Sequence, residues 1–161
     1  KNLPLGDWLD IGAGLGHSRP RIAAAGHRVT LHDVGPGLPV DIACPLSEIP
    51  DHSADIVSAF DVLEHVVDDV SFVSHLVRIA RRAVVLTTPN VWISRCANPH
   101  HVREYSPPLF AYRLLEHPAI TRLDRFVGDP QGRRIAPADW SQWNQTASPQ
   151  LALIGWKTPR K

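Results

Sequence analysis

Asp10, Gly12, Gly14 and Gly16 fall on alternate positions of the segment WLDIGAGLGHS, Trp8 to Ser18. A glycine-rich turn between a strand and a helix lets a ligand approach the backbone closely. The helix end adds free N–H groups and partial positive charge, which suit an anionic group. The glycine spacing is G-A-G-L-G with His17 in the sixth place, so the G-x-G-x-x-G dinucleotide fingerprint is incomplete. No Gly-Lys-Ser/Thr follows, which excludes a P-loop. The carboxylate of Asp10 can meet an ammonium group directly or through water. Asp33 ends the next strand-like run, 23 residues further on, where a carboxylate can accept both hydroxyls of a ribose. The ligand that fits is an adenosine carrying an amino acid rather than a pyrophosphate.

A second constellation lies in NPHHVREYSP, Asn98 to Pro107, where His100, His101, Arg103, Glu104 and Tyr105 place a base, a cation and a phenol within six residues. His101 and Tyr105 are candidates for chemistry, or His101 helps to shape the site, or the segment is a structural loop with Arg103 and Glu104 paired at the surface. His65, in the segment VLEHV, either faces the chemistry or packs, with Glu64 then serving as a helix N-terminal charge. Asp68 reads as an N-cap. The adjacent His100 and His101 diverge in an extended segment, and no H-x-x-x-H or H-x-E spacing occurs, so no metal site is expected. Arg78, Arg81 and Arg82 read as a helix C-terminal face. Trp140 and Trp143 form either a substrate platform or the packing of a tail against a sheet.

These residues need a scaffold, and the hydrophobic pattern supplies one. Apolar runs Leu5 to Ile11, His27 to His32, Ala54 to Phe60 and Ala83 to Thr87 have strand length and β-branched character. Pro39 to Ala43 is a further short strand by the same reading. Ser18 to Ala25 has helical character, with Pro20 in the first turn. In Asp68 to Ala80, residues Val70, Val73, Leu76, Val77 and Ala80 recur at spacings of three and four, which marks an amphipathic helix. After Pro89 comes a polar loop, Asn90 to Pro108, and then a helix, Pro108 to His117. Two strands follow, Arg122 to Val127 and Leu151 to Trp156, on either side of a polar stretch that contains the turn signal DPQG. Strands alternating with helices imply a parallel sheet covered on its faces.

The length of 161 residues fits one domain. The balance of 17 Lys and Arg against 16 Asp and Glu argues against a nucleic-acid or membrane footprint. No run approaches the ~18 apolar residues of a membrane span. KNLPLGDW lacks the apolar core of a signal peptide. Cys44 and Cys96, with no C-x-x-C spacing, fit a reducing cytoplasm. No methionine occurs, so a trimmed start is expected.

The segments WLDIGAGLG, LHDVGPG, DIACPLSEIPDHSADIVSAFDVLEHVVDD and VVLTTPN resemble the successive motifs of class I S-adenosyl-L-methionine-dependent methyltransferases. The resembling subgroup is the small-molecule and glycan set (methyltransferase type 11-like), some members of which also carry an H-x-R-E-Y-S segment. The resemblance implies a Rossmann-like three-layer α/β/α sandwich, mostly parallel, with an antiparallel last strand. Residues 5–90 would form the cofactor-binding half and residues 91–161 the substrate side of a single domain. Asp10, Gly12, Ala13, Gly14 and Gly16 would flank the methionine part of the cofactor, and Asp33 would take the ribose with Val34 beside the adenine. Asp41 and Ile42 would read the adenine amino group and cover its ring. Phe60, Asp61 and Val62 would line the methyl-donor end.

The implied reaction is methyl transfer to a small molecule or glycan, with oxygen preferred as acceptor atom. The chain departs from the family pattern in three places: a GPGLP turn stands in for the second helix, the helix before the first strand is missing, and Arg81-Arg82 replaces a glycine-rich turn. Two rivals share the same features. One is a cofactor-binding scaffold or regulator without catalysis, the other an NAD-binding oxidoreductase.

Overall fold

The computed structural model describes residues 3–128 and 135–158, and of Ile135 the backbone only. The DPQG turn signal lies outside the described residues. The strands are β1 (Asp7–Ile11), β2 (Arg28–His32), β3 (Ala54–Phe60), β4 (Ala80–Pro89), β5 (Ile120–Gly128), β6 (Ile135–Pro137) and β7 (Gln150–Lys157). The helices are α1 (Arg19–Ala24), α2 (Asp69–Ile79), α3 (Val91–Ser94), α4 (Pro107–Leu115) and α5 (Trp140–Asn144). One sheet runs in the order β2-β1-β3-β4-β7-β5-β6. β2, β1, β3 and β4 are parallel, and β7 lies antiparallel to both β4 and β5. This is a Rossmann-like α/β arrangement with the expected antiparallel last strand.

Strands β1, β3 and β4 are apolar on both faces because both faces are covered. Leu9, Val57, Ala59, Val84 and Leu86 point to one side, where Phe72, Val73 and Leu76 of α2 and Phe110 and Leu114 of α4 complete the main core. Trp8, Ile56 and Val85 point to the other side and meet Ile22 of α1 in a much smaller cluster. That second layer is thin because β2 passes to β3 through the GPGLP turn and a single 3₁₀ turn, Leu46–Glu48.

Some sequence expectations change. Pro39 to Ala43 forms no strand, only an isolated bridge between His32 and Ile42; Pro39 has no N–H to give a ladder. Arg81 and Arg82 are not a turn or a helix face. α2 ends at Ile79, Ala80 is already extended, and the two arginines start β4 beside Asp55, at 3.6 and 3.5 Å. Arg78 instead caps the carbonyls of Ile49 and Leu46, both at 2.7 Å. The loop after Pro89 holds the short helix α3, with the Asn90 side chain accepting from the Trp92 N–H at 3.2 Å. The tail holds α5, opened by a capping box between Asp139 and Gln142, and the edge strand β6.

The two tail tryptophans share no platform. Trp143 is fully buried, donates its Nε1–H to the Pro107 carbonyl at 2.9 Å and stacks on Phe110. Trp140 is exposed under the Arg125 guanidinium.

Candidate functional site

The carboxyl ends of β1, β2 and β3 open into a cavity of about 440 Å³. Asp33, Asp61 and His65 bring polar groups to its lining beside Gly12, and Val34, Leu46, Val62, Val66 and Phe72 give it an apolar wall. Crevices at the strand ends of parallel sheets are where such folds hold ligands, and this volume suits a drug-sized molecule.

The glycine loop is shaped by contacts that exclude side chains. Gly12 has φ +68°, and a Cβ there would lie 2.6 Å from Val62 Cγ2. Gly14 has φ +53° and faces open space, with no atom within 4 Å of such a Cβ. The Gly14 N–H donates to Asp33 Oδ2 and the Gly35 N–H to Asp33 Oδ1, both at 2.9 Å. Burial pushes the Asp33 carboxyl up, but the N–H groups of Gly35 and Gly14 outweigh it and hold the group below the usual carboxylate range. Asp33 is therefore an anion at neutral pH, set on the glycine loop. Ala13 N–H ties the same loop to the His32 carbonyl at 3.0 Å.

Several residues expected around a cofactor lie outside the cavity lining. Asp10 is 2% exposed and accepts from the hydroxyls of Ser18 and Ser58, so it joins the start of α1 to β3 and lies outside the cavity lining. Burial pushes its pKa up against those two bonds. Asp41 pairs with Arg19 and accepts from the Leu31 N–H at 2.7 Å. The Ile42 carbonyl accepts from the Asp33 N–H at 3.2 Å. Both residues brace the end of β2 and are not in the lining. Phe60 packs with Trp8 and Ile22 on the opposite face of the sheet.

Asp61 does line the cavity, in a left-handed conformation at φ +55° that a non-glycine residue adopts at a cost of about 1–3 kcal/mol. It is held there by Thr87. Its N–H donates to Thr87 Oγ1 at 3.1 Å, and that hydroxyl donates to Asp61 Oδ1 at 2.8 Å. Gln150 of β7 donates to the same carboxylate.

The HVREYS loop folds back onto a 3₁₀ turn, Leu63–His65, between β3 and α2. The N–H groups of Val102 and Arg103 donate to the Glu64 carbonyl at 2.8 and 3.3 Å. Arg103 is not paired with Glu104; it reaches the Val67 carbonyl and Asp69, both at 2.7 Å. Tyr105 is fully buried and donates its hydroxyl to Asp69 at 2.7 Å. Burial and Asp69 push its phenol far above the ordinary value, so the structure makes Tyr105 an anchor of the loop rather than a proton-transfer group.

Docking of this loop sets the His101 ring 4.8 Å from the His65 ring in an edge arrangement. His65 lines the cavity. His101 Nδ1 meets Glu104 Oε1 at 2.6 Å, and His65 Nδ1 meets the His100 carbonyl at 3.0 Å. Burial pushes Glu104 up, but the bonds from Ser94, His101 and the Cys96 N–H prevail and keep it ionised. Behind the two rings lies Glu64, fully buried; burial is the main cause that raises its pKa. Ligand atoms of Glu64, His65 and His101 lie within 4.8 Å of one another. The group joins two segments 36 residues apart and so has no local spacing to read in the sequence. Glu64 and Glu104 were likewise not singled out for the site.

No protein-family model matches the sequence, and no curated protein does. Solved structures do match. An S-adenosylmethionine-dependent methyltransferase of Thermotoga maritima superposes with TM-score 0.73 over 97% of this chain and 84% of its own, at 11% identity. The 1,6-didemethyltoxoflavin-N1-methyltransferase of Burkholderia thailandensis, solved with 1,6-didemethyltoxoflavin and S-adenosylhomocysteine, gives TM-score 0.64 over 95% and 71% of the two chains, at 18% identity. Magnesium protoporphyrin IX methyltransferase of Synechocystis, solved with S-adenosylhomocysteine, gives 0.62 over 98% and 76%, at 16% identity. This is the class I S-adenosylmethionine-dependent methyltransferase fold. At such identities the likeness is one of architecture, and within that fold the cavity lies at the carboxyl ends of the first three parallel strands.

Proposed function

We propose that the chain is an S-adenosylmethionine-dependent methyltransferase whose acceptor is a small molecule or glycan and whose acceptor atom is oxygen. The observation that carries this reading is the setting of Asp33. Each of its oxygens accepts one backbone N–H, from Gly14 and Gly35, which leaves a second lone pair on each for a ribose hydroxyl. Open space at Gly14 lets the nucleoside lie against the loop. Val34, exposed at the cavity, would stand beside the adenine, with Leu46, Val66 and Phe72 as apolar cover. Asp61, Val62 and His65 would surround the reacting end.

When bound, the cofactor supplies an electrophilic methyl on a sulfonium. The acceptor oxygen forms the new C–O bond as the C–S bond breaks, the bonding pair goes to sulfur, and the acceptor's proton leaves. The chain's own task is alignment and exclusion of water together with control of that proton. His65 and His101, backed by Glu64, are the groups placed for it, and they favour a hydroxyl acceptor, whose proton needs such help. Two neighbours solved with S-adenosylhomocysteine are methyltransferases named for small-molecule substrates, which supports the acceptor class. We assign residues 5–90 to the cofactor and residues 91–161 to the acceptor side. Among the described residues no helix is long and apolar enough to cross a membrane. The free thiols Cys44 and Cys96 support a reducing cytoplasm as the compartment.

Calorimetric titration with S-adenosylmethionine, S-adenosylhomocysteine and NAD tests the reading, on the wild type and on Asp33→Ala. Micromolar binding of the first two, lost in the variant, is the expected result. Binding of NAD alone would overturn it.

A further inference from the structure

We infer that Glu64, His65 and His101 form a binding site for one divalent first-row transition ion of the zinc class, at the acceptor edge of the cavity. Their ligand atoms lie within 4.8 Å of one another. Two imidazoles and one carboxylate are a donor set for such ions, and three protein ligands leave coordination positions open.

The hydrogen bonds around the two rings prepare them as ligands. The His100 carbonyl can only accept, so His65 Nδ1 carries the proton and Nε2 keeps its lone pair. Glu104, whose Oε2 already accepts from the Ser94 hydroxyl and the Cys96 N–H, accepts from His101 Nδ1 through Oε1 at 2.6 Å and leaves His101 Nε2 as the basic nitrogen. This is the carboxylate–histidine support that orients metal-binding imidazoles. Asn98 shows that Nε2 is indeed the acceptor. Its Oδ1 takes the His100 N–H at 3.0 Å, which fixes the amide so that Nδ2 donates to His101 Nε2 at 2.9 Å. An ion would replace that single solvent-facing amide contact.

The independent sign is Glu64. It is fully buried, its Oε2 accepts from Thr88 at 3.2 Å, and its Oε1 has no hydrogen-bond partner among the described residues. An orphaned buried carboxylate oxygen is costly, and a cation at the two imidazoles would satisfy it. Metal–ligand bonds of about 2.0–2.2 Å put ligand atoms of a tetrahedral site about 3.5 Å apart, so the group closes by roughly an ångström on binding. The exposed His65 ring can supply that movement.

The role at the acceptor rests on the methyl-transfer reading: the ion's open positions would take the acceptor oxygen and lower the pKa of its hydroxyl, so that its proton passes to solvent rather than to the two imidazoles, whose lone pairs the ion holds. The site itself does not depend on that reading, and the experiment separates the two. The protein is stripped with chelator and titrated with Co²⁺ and Zn²⁺, with the cobalt visible spectrum and the bound metal per chain as readouts. S-adenosylhomocysteine is titrated in parallel. One ion per chain is expected, with a cobalt spectrum of four or five ligands. Affinity should fall at least tenfold in Glu64→Gln and in the surface variant His65→Asn, and about 10–100-fold in Glu104→Gln, which loses only the support of His101. Absence of a stoichiometric ion, or binding unchanged in both Glu64→Gln and His65→Asn, overturns the metal site even if the nucleoside binds. An ion that binds while no nucleoside does overturns the methyl-transfer reading and leaves the metal site standing.

Discussion

Tyr105 Oη donates to Asp69 Oδ2 at 2.7 Å, and this bond joins the loop that carries His101 to the helix that begins four residues after His65. Asp69 also takes Arg103 at 2.7 Å and Arg113 of α4 at 2.9 Å. One buried carboxylate thus collects three partners from two segments that are distant in sequence. These contacts hold the same loop that the Val102 and Arg103 N–H bonds to the Glu64 carbonyl dock beside His65.

Tyr105→Phe keeps the ring in its packed place and deletes only the hydroxyl. A buried charged acceptor that loses one partner costs about 1–3 kcal/mol, and with both arginines retained the lower end of that range is expected. Urea denaturation should show it as a lower midpoint at unchanged slope. Turnover should fall while affinity for S-adenosylhomocysteine stays as it was. A variant of full stability that loses all turnover would restore Tyr105 as a catalytic group.

Acid should loosen the same junction. Burial pushes Asp69 up, but Tyr105, Arg103 and Arg113 prevail and hold its pKa below the ordinary value. A depressed folded-state pKa contributes stability that is complete above the unfolded value, about 3.9, and is lost as pH falls through the folded value. Asp33 and Glu104 are depressed as well and act with the same sign. The midpoint of urea unfolding should therefore fall as pH drops below about 4. In Asp69→Asn the midpoint should be lower near neutrality and its acid decline shallower. Equal acid slopes in the two proteins would remove Asp69 from this account.

Gly12→Ala and Gly14→Ala separate the two duties of the glycine loop. Both positions have positive φ, and an L-residue there costs roughly 1–2 kcal/mol. At Gly12 the new methyl also meets Val62 at 2.6 Å, so the fold itself should be hurt beyond that figure. At Gly14 the methyl enters open space, so stability should fall only by the conformational cost. That space is where the nucleoside is proposed to lie, so affinity for S-adenosylhomocysteine should drop at least tenfold. Thermal melts and calorimetry on the two variants read the two effects separately.

Strand β3 and helix α2 were legible in the sequence because their burial pattern is local. ADIVSAF is apolar over the observed length of β3, and the helix was expected within one residue of its observed ends, Asp69 and Ile79. Asp33 was legible because a strand end and a glycine turn give it away. That Asp41, Ile42 and Phe60 lie outside the cavity lining has no local signal, because which side of a strand end faces the cavity depends on register and on the missing helix after β2. Helix α5 was hidden in a polar stretch, since its start comes from the Asp139–Gln142 capping box and its one buried anchor is Trp143. The Glu64–His65–His101 group was illegible for another reason. Its proximity is created by backbone bonds from Val102 and Arg103 to the Glu64 carbonyl, and no residue type announces those.

Asp61 offers the sharpest separation of fold from function. It sits at φ +55° at the cavity, held by Thr87 and Gln150. Asp61→Gly removes the strain of a left-handed non-glycine residue, about 1 kcal/mol or more, and also removes the carboxylate with its two side-chain bonds. These effects oppose each other, so the melting temperature should move by no more than about 5 °C. If the carboxylate faces the reacting end of the nucleoside, affinity for S-adenosylhomocysteine should fall at least tenfold despite that intact fold. Thr87→Val adds the converse case: the carboxylate remains, but the hydroxyl that holds both its oxygen and its N–H is gone, so the turn should loosen and both stability and affinity should drop. Retained affinity in Asp61→Gly together with lost stability would mean that Asp61 shapes the turn and nothing more.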